Sequence, residues 1–178
     1  DAKTGDFDNK STDEYYSNKS FDVVKNYQEI ALNKKTIIFN SSSKINLLDY
    51  NAFIDAGISY IKLFDSVNET ENRKKILQWF KETPNAKLCN VSVFTTGFDE
   101  PSVECVILNR ATKSLSLFHE MVGRGGRKCE SIYKPYFTVI DGGGNVAEFG
   151  KWSDEVDWVS HFHNTEKPKA KKEALEQT

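Results

Sequence analysis

No GxxxxGK[ST] phosphate loop occurs anywhere in the 178 residues. The nearest approach, Gly150-Lys151, runs on into Trp152 and lacks the leading glycine. Such a chain has no backbone cradle of its own for a triphosphate. Cysteine is scarce too: Cys89, Cys105 and Cys129 form no CxxC pair, and an odd number argues against a disulfide framework. Neither Cys129 nor the histidines stand at zinc-ligand spacing, so no metal site is expected. No apolar run approaches the roughly 18 residues that a membrane helix needs. The formal net charge is −2, which leaves no global basic field, so any basic surface must be local. No internal repeat is found.

Hydrophobic residues make up 38% of the chain and charged residues 28%, enough for one domain with extensions. The opening DAKTGDFDNK is polar, has no initiator Met and does not form a signal peptide. It predicts a chain cut from a longer protein, and the scattered cysteines predict a reducing, cytoplasmic setting. The end, HNTEKPKAKKEALEQT, predicts a solvated tail or the start of a further segment.

Between these ends strands alternate with helices. Residues 19 to 33 carry Phe21, Val24, Tyr27 and Leu32 at near-helical spacing. KTIIFN (35 to 40) is a short apolar run of the buried-strand kind. A helix follows, with Ile45, Leu48, Ala52 and Phe53 inward and Gly57 as its stop. YIKLFD (60 to 65), AKLCNV (86 to 91), VECVILN (103 to 109) and YFTVID (136 to 141) read as further strands. TENRKKILQWFKE (70 to 82) reads as a helix capped by Thr70 that buries Ile76, Leu77 and Phe80. SLSLFHEMVG, from 114, reads as another, capped by Ser114 or Thr112. This alternation predicts an α/β fold: a parallel sheet covered on both faces, with ligands beyond the carboxyl ends of its strands.

Two segments carry chemistry. In HEMVGRGGR, Arg124 and Arg127 stand among glycines. Glycine lets backbone approach an anion, and arginine offers a planar fork suited to phosphate oxygens. A basic helix end is the plainer reading of the same residues. In VFTTGFDEP, a strand leads into Thr95, Thr96, Gly97 and Asp99. The carboxylate accepts from a sugar hydroxyl or an arginine. An ordinary crossover loop is the plainer reading there.

Together the two segments resemble the C-terminal RecA-like domain of superfamily 2 helicases. VFTTGFDEP looks like motif V, HEMVGRGGR like motif VI and KTIIFNSSSK like motif IV. TENRKKILQWF resembles the helix that lies between motifs IV and V. The flanks TGDFDNK and VIDGGGNVAEFGKW resemble phage and bacterial DEAD/DEAH-like helicases.

The resemblance implies that Arg127 is an arginine finger reaching the γ-phosphate of ATP, with Arg124 on the same phosphates. It implies Gly97 and Asp99 at the nucleotide. It places Asn40, Ser41, Asn90, Thr95 and Thr96 on the backbone of a nucleic acid, DNA rather than RNA, with Arg110 and Lys113 as further backbone contacts. ATP and Mg²⁺ are then held mainly by an N-terminal RecA-like domain, and this chain alone is expected to be inactive.

Glu120 departs from the family pattern, which has Gln or His there; a carboxylate repels phosphates unless an arginine pairs with it. His119 beside it is a candidate for part of that role. DEVD (154 to 157) mimics a DExD box but follows motif VI and is read as a solvated turn or helix start. The expected layout is a connector and leading helix over 1–33, the RecA-like domain over 34–150 and a tail over 151–178. Two other readings stay open: a double-strand translocase, and a non-catalytic RecA-like binding module.

Overall fold

A computed structural model describes residues 21–65, 70–91 and 98–163. In chain order the elements are α1 (Val23–Ile30), β1 (Thr36–Asn40), α2 (Ser43–Asp55), β2 (Ile61–Phe64), α3 (Thr70–Glu82), β3 (Lys87–Asn90), β4 (Cys105–Asn109), α4 (Leu115–Gly123), β5 (Thr138–Asp141), α5 (Asn145–Phe149) and α6 (Trp158–His163). The strands form one sheet in the order β2-β3-β1-β4-β5. Every pairing is parallel.

The central strands are apolar throughout because both faces of the sheet are covered. Side chains alternate across the pleat. Ile37 and Phe39 of β1 therefore join Leu88, Val106 and Leu108 on one face, under Phe80 of α3 and Phe118 of α4. Ile38 joins Cys89, Cys105 and Ile107 on the other, under Tyr27 of α1 and Phe53 of α2. Helix α1, which the sequence groups with a connector, thus contributes Val23, Val24 and Tyr27 to the core.

Local signals set most boundaries. Ser42 caps α2, its hydroxyl accepting from the Ile45 amide at 3.3 Å. Gly57, at φ +71°, ends α2 in a left-handed turn. There the Ile58 amide returns to the Phe53 carbonyl at 3.0 Å. Ser114 caps α4 through the Leu117 amide at 3.2 Å, and Thr112 braces Ser114 from outside.

Three expectations are corrected. Thr70 is the first residue of α3 rather than its cap. Leu32 lies beyond the end of α1 and is 56% exposed. Leu48 is 50% exposed, because α2 turns Ile45, Asn46 and Phe53 inward instead. A polar residue occupies that inward face because it meets the polar carboxyl ends of the strands. DEVD behaves as read: Asp157 accepts from the Ser160 amide at 2.9 Å at the start of α6, and its carboxyl is exposed.

Candidate nucleotide-facing and nucleic-acid-facing site

Arg124 follows α4 directly, and Arg127 lies three residues further on. Both guanidiniums converge on one backbone carbonyl. Nη1 of Arg124 donates to the Phe98 oxygen at 2.8 Å, and Nη1 of Arg127 donates to it at 3.4 Å. Arg127 also ion-pairs with Asp99. The two sequence segments singled out for their chemistry are therefore one site. Phe98 anchors it from below, buried against Phe80 with ring centroids 6.1 Å apart.

Glu120, the departure from the family pattern, lies one helical turn before Arg124 and pairs with it at 3.1 Å. Its charge is thus offset by an arginine of the same site. His119 does not share that role. Its ring faces away, edge-on to Phe118 and Trp158 at 5.4 and 5.0 Å, and burial lowers its pKa. Adjacent helix positions point about 100° apart, so 119 and 120 serve different surfaces.

The glycines between the arginines are explained by packing rather than by an anion. A Cβ on Gly125 would run into the Phe137 ring, and one on Gly126 would stand 2.7 Å from Trp152. Trp152 also donates to the His119 carbonyl at 3.4 Å and meets Phe137 edge-on at 5.7 Å. The start of the expected tail is thus packed on the motif VI segment.

A second polar system lies at the carboxyl ends of the strands. Asn40 ends β1 and Asn109 ends β4, paired in register. Nδ2 of Asn40 donates to Asn46 at 2.9 Å, and Asn46 donates to the Phe64 carbonyl at 3.3 Å. Nδ2 of Asn109 donates to Asn40 at 3.2 Å and to the Asp49 carboxylate at 2.8 Å. Burial pushes the Asp49 carboxyl up to about 6, against the lowering effect of the hydrogen bonds from Asn109 and Asn40.

This corrects the expected roles of Asn40 and Asn90. Both are 0% exposed, and a side chain with no exposed surface does not grip an external phosphate. Ser41 is nearly buried, and among the described residues its hydroxyl makes no hydrogen bond. Arg110 is half-buried and donates to the Val91 carbonyl at 3.3 Å. Lys113 is exposed. Thr95, Thr96 and Gly97 lie outside the described residues.

Sequence reasoning missed the supports of the site. Lys35 and Glu100 form a buried ion pair at 3.7 Å, with side chains 3% and 9% exposed. Asn145 donates to the Arg110 carbonyl at 2.9 Å and accepts from the Thr112 amide at 3.0 Å. No motif signals these residues, although a lysine opening an apolar strand is one available hint. Among the described residues no group of three or more His, Cys, Asp or Glu is placed to hold a metal ion. No helix among them is long and apolar enough to cross a membrane.

A five-stranded parallel sheet with helices on both faces, and two arginines on the segment before its fifth strand, defines a RecA-like helicase C-terminal domain. The chain belongs to the Helicase conserved C-terminal domain family, which matches residues 19–129. A 51.5 kDa protein of Lactococcus phage (isolate 7-9) is 30% identical over 98% of this chain and 38% of its own length. Putative ATP-dependent helicase IRC3 of Saccharomyces cerevisiae is 34% identical over 67% of this chain and 17% of its own. The chain thus spans well under half of the curated relatives it matches. Among solved structures, the C-terminal domain of the DEAD-box protein Dbp5 superposes with a TM-score of 0.54 at 13% identity, covering 90% of this chain and 82% of that one. Domain 2 of the Mss116p DEAD-box helicase, bound to an RNA duplex, gives 0.53 at 21% identity, over 75% and 50%. At these identities the likeness concerns the fold.

Proposed function

We propose that this domain is the second motor half of an ATP-dependent helicase acting on DNA. Arg127 is its arginine finger, and Arg124 is a second phosphate contact. The observation that carries this reading is the convergence of both guanidiniums on the Phe98 carbonyl, with Arg127 also paired to Asp99. Two fixed positive charges are held within one small area, as stabilising a phosphoryl-transfer transition state requires.

The donor set suits a triphosphate. The carboxylate that Arg127 ion-pairs with is largely exposed, and a phosphate group of higher charge competes well against it. Mg²⁺ and the phosphate cradle belong, in this reading, to an N-terminal RecA-like domain, and the domain described here is inactive alone. Gly97 and Asp99 couple the nucleotide to the nucleic acid. Ser41, Thr95, Thr96, Arg110 and Lys113 grip the backbone, while Asn40 and Asn90 hold the strand ends beneath them. DNA rests on the resemblance of the flanks to phage and bacterial DEAD/DEAH-like helicases, and relatives named as RNA helicases make RNA the competing polymer.

The test is steady-state ATPase of the protein carrying both motor domains, with and without single-stranded DNA or RNA, beside Arg127→Ala. Stimulation by DNA, and a loss of about a thousandfold or more in the variant with ATP binding kept, is the expected result. Equal rates in the variant and the parent would remove Arg127 from the mechanism.

A further inference from the structure

Lys134 lies in the segment between α4 and β5. Its ammonium donates to two backbone carbonyls, Pro101 at 2.6 Å and Arg127 at 2.8 Å. One belongs to the motif V loop and the other to the arginine finger itself. Lysine carries three donors on one small charged centre, so it can bind two carbonyls of different segments at once.

The Pro101 end of this bridge is itself fixed. Glu100, the preceding residue, is buried against Lys35 and accepts from the Ser102 amide at 3.2 Å. Lys35 in turn donates to the Lys81 carbonyl at the end of α3, at 2.9 Å. A line of contacts therefore runs from the amino end of the central strand β1, through Lys35, Glu100 and Pro101, to Lys134 and the Arg127 backbone. The Arg127 side chain meets the same loop again at Phe98 and Asp99.

We propose that Lys134 is a positioning residue for Arg127: it pins the backbone of the finger to the motif V loop, so that the guanidinium projects from a fixed point. The proposal rests on the reading of Arg127 as the finger. Gly125 and Gly126 carry no side chains, and the rings of Phe137 and Trp152 pack on them without a directed bond to hold the following backbone. Lys134 supplies that restraint from outside the segment. Burial lowers the pKa of its ammonium, while Cys129, Glu104 and Glu100 act in the opposite direction.

Three variants of the protein carrying both motor domains test this: Lys134→Met, Lys134→Arg and Arg127→Ala. Lys134→Met is expected to lower kcat of DNA-stimulated ATP hydrolysis by at least about tenfold, the scale of an ångström-sized misplacement, with KM for ATP within about threefold. Lys134→Arg, which keeps charged donors, is expected to recover a substantial part. In parallel, amide hydrogen exchange on the present chain should quicken over residues 124–128 in Lys134→Met and stay unchanged in α2. Wild-type kcat in Lys134→Met, with Arg127→Ala inactive, overturns the positioning role alone. Loss of protection throughout α2 overturns it as well, because Lys134 would then support the fold in general. Full activity in Arg127→Ala would instead remove the finger reading, and this proposal with it.

Discussion

Arg127 and Asp99 are ion-paired across the two segments that the sequence marks as motifs VI and V. Their side chains remain 38% and 72% exposed, so the pair contributes little to stability, about 1 kcal/mol at most. Its importance lies in where it parks the guanidinium. Asp99→Asn is therefore expected to leave the thermal midpoint nearly unchanged while reducing DNA-stimulated ATP hydrolysis by about tenfold or more, if Asp99 couples nucleotide to nucleic acid. Melting curves and ATPase rates on the same preparation check this. A large loss of stability with normal turnover per folded molecule would reverse the assignment.

Glu120 pairs with Arg124 and puts a half-exposed carboxylate beside the proposed phosphate position. Glu120→Gln keeps a hydrogen-bond acceptor and removes the charge. KM for ATP is expected to fall by a few-fold, the size of one screened like-charge repulsion of about 1 kcal/mol. Steady-state kinetics at low and high salt read it, since screening should narrow the difference. An unchanged KM at low salt would mean that Glu120 stands away from the nucleotide.

The Lys35–Glu100 pair is buried on both sides. Removing one partner leaves the other charge uncompensated in the interior. Lys35→Met is expected to cost about 3–5 kcal/mol in urea unfolding, and Lys35→Met with Glu100→Gln to recover part of that loss. A cost below about 1 kcal/mol for the single substitution would show that water reaches the pair.

Asp49 gives the domain a pH dependence. Its folded pKa of about 6 lies above the ordinary 3.8, so the folded state binds this proton more tightly than the unfolded chain does. The stability this adds is fully present below about pH 4 and is lost as pH rises through 6. Asp22, at the start of α1, is the acidic neighbour that pushes in the same direction. Asp49→Asn keeps an acceptor for Asn109 without the buried charge. It is expected to be more stable than the parent at pH 8, by up to about 3 kcal/mol, with the advantage gone at pH 4. Equal differences at both pH values would contradict the assignment.

The strands were legible because both faces of a parallel sheet are buried, which leaves continuous apolar runs such as TIIF and CVIL. The arginines and Asp99 were legible because their spacing around glycines matches a motif. Other readings failed for local reasons. Leu48 fitted the helical period, yet α2 points Asn46 at the sheet instead, since the unpaired polar ends of the strands demand partners there. Asn40 at a strand end looked like a surface contact, yet its amide bridges Asn46 and Asn109. Lys134 carried no signal and Lys35 only its place at the head of an apolar strand, because lysine is ordinarily a surface residue and only packed neighbours show otherwise.

By itself the sequence determined the alternation of strands and helices, the family and the identity of the charged groups, because these depend on local periodicity and on residue chemistry at short spacing. Only the tertiary structure decided that the Phe98 carbonyl receives both arginines and Asp99 receives Arg127, that Glu120 is offset by Arg124, that Phe137 and Trp152 demand Gly125 and Gly126 and that Lys134 joins Pro101 to Arg127. Each of these contacts lies between residues distant in sequence or between side chains whose direction the fold sets. Their energies depend on burial, which a linear pattern does not contain.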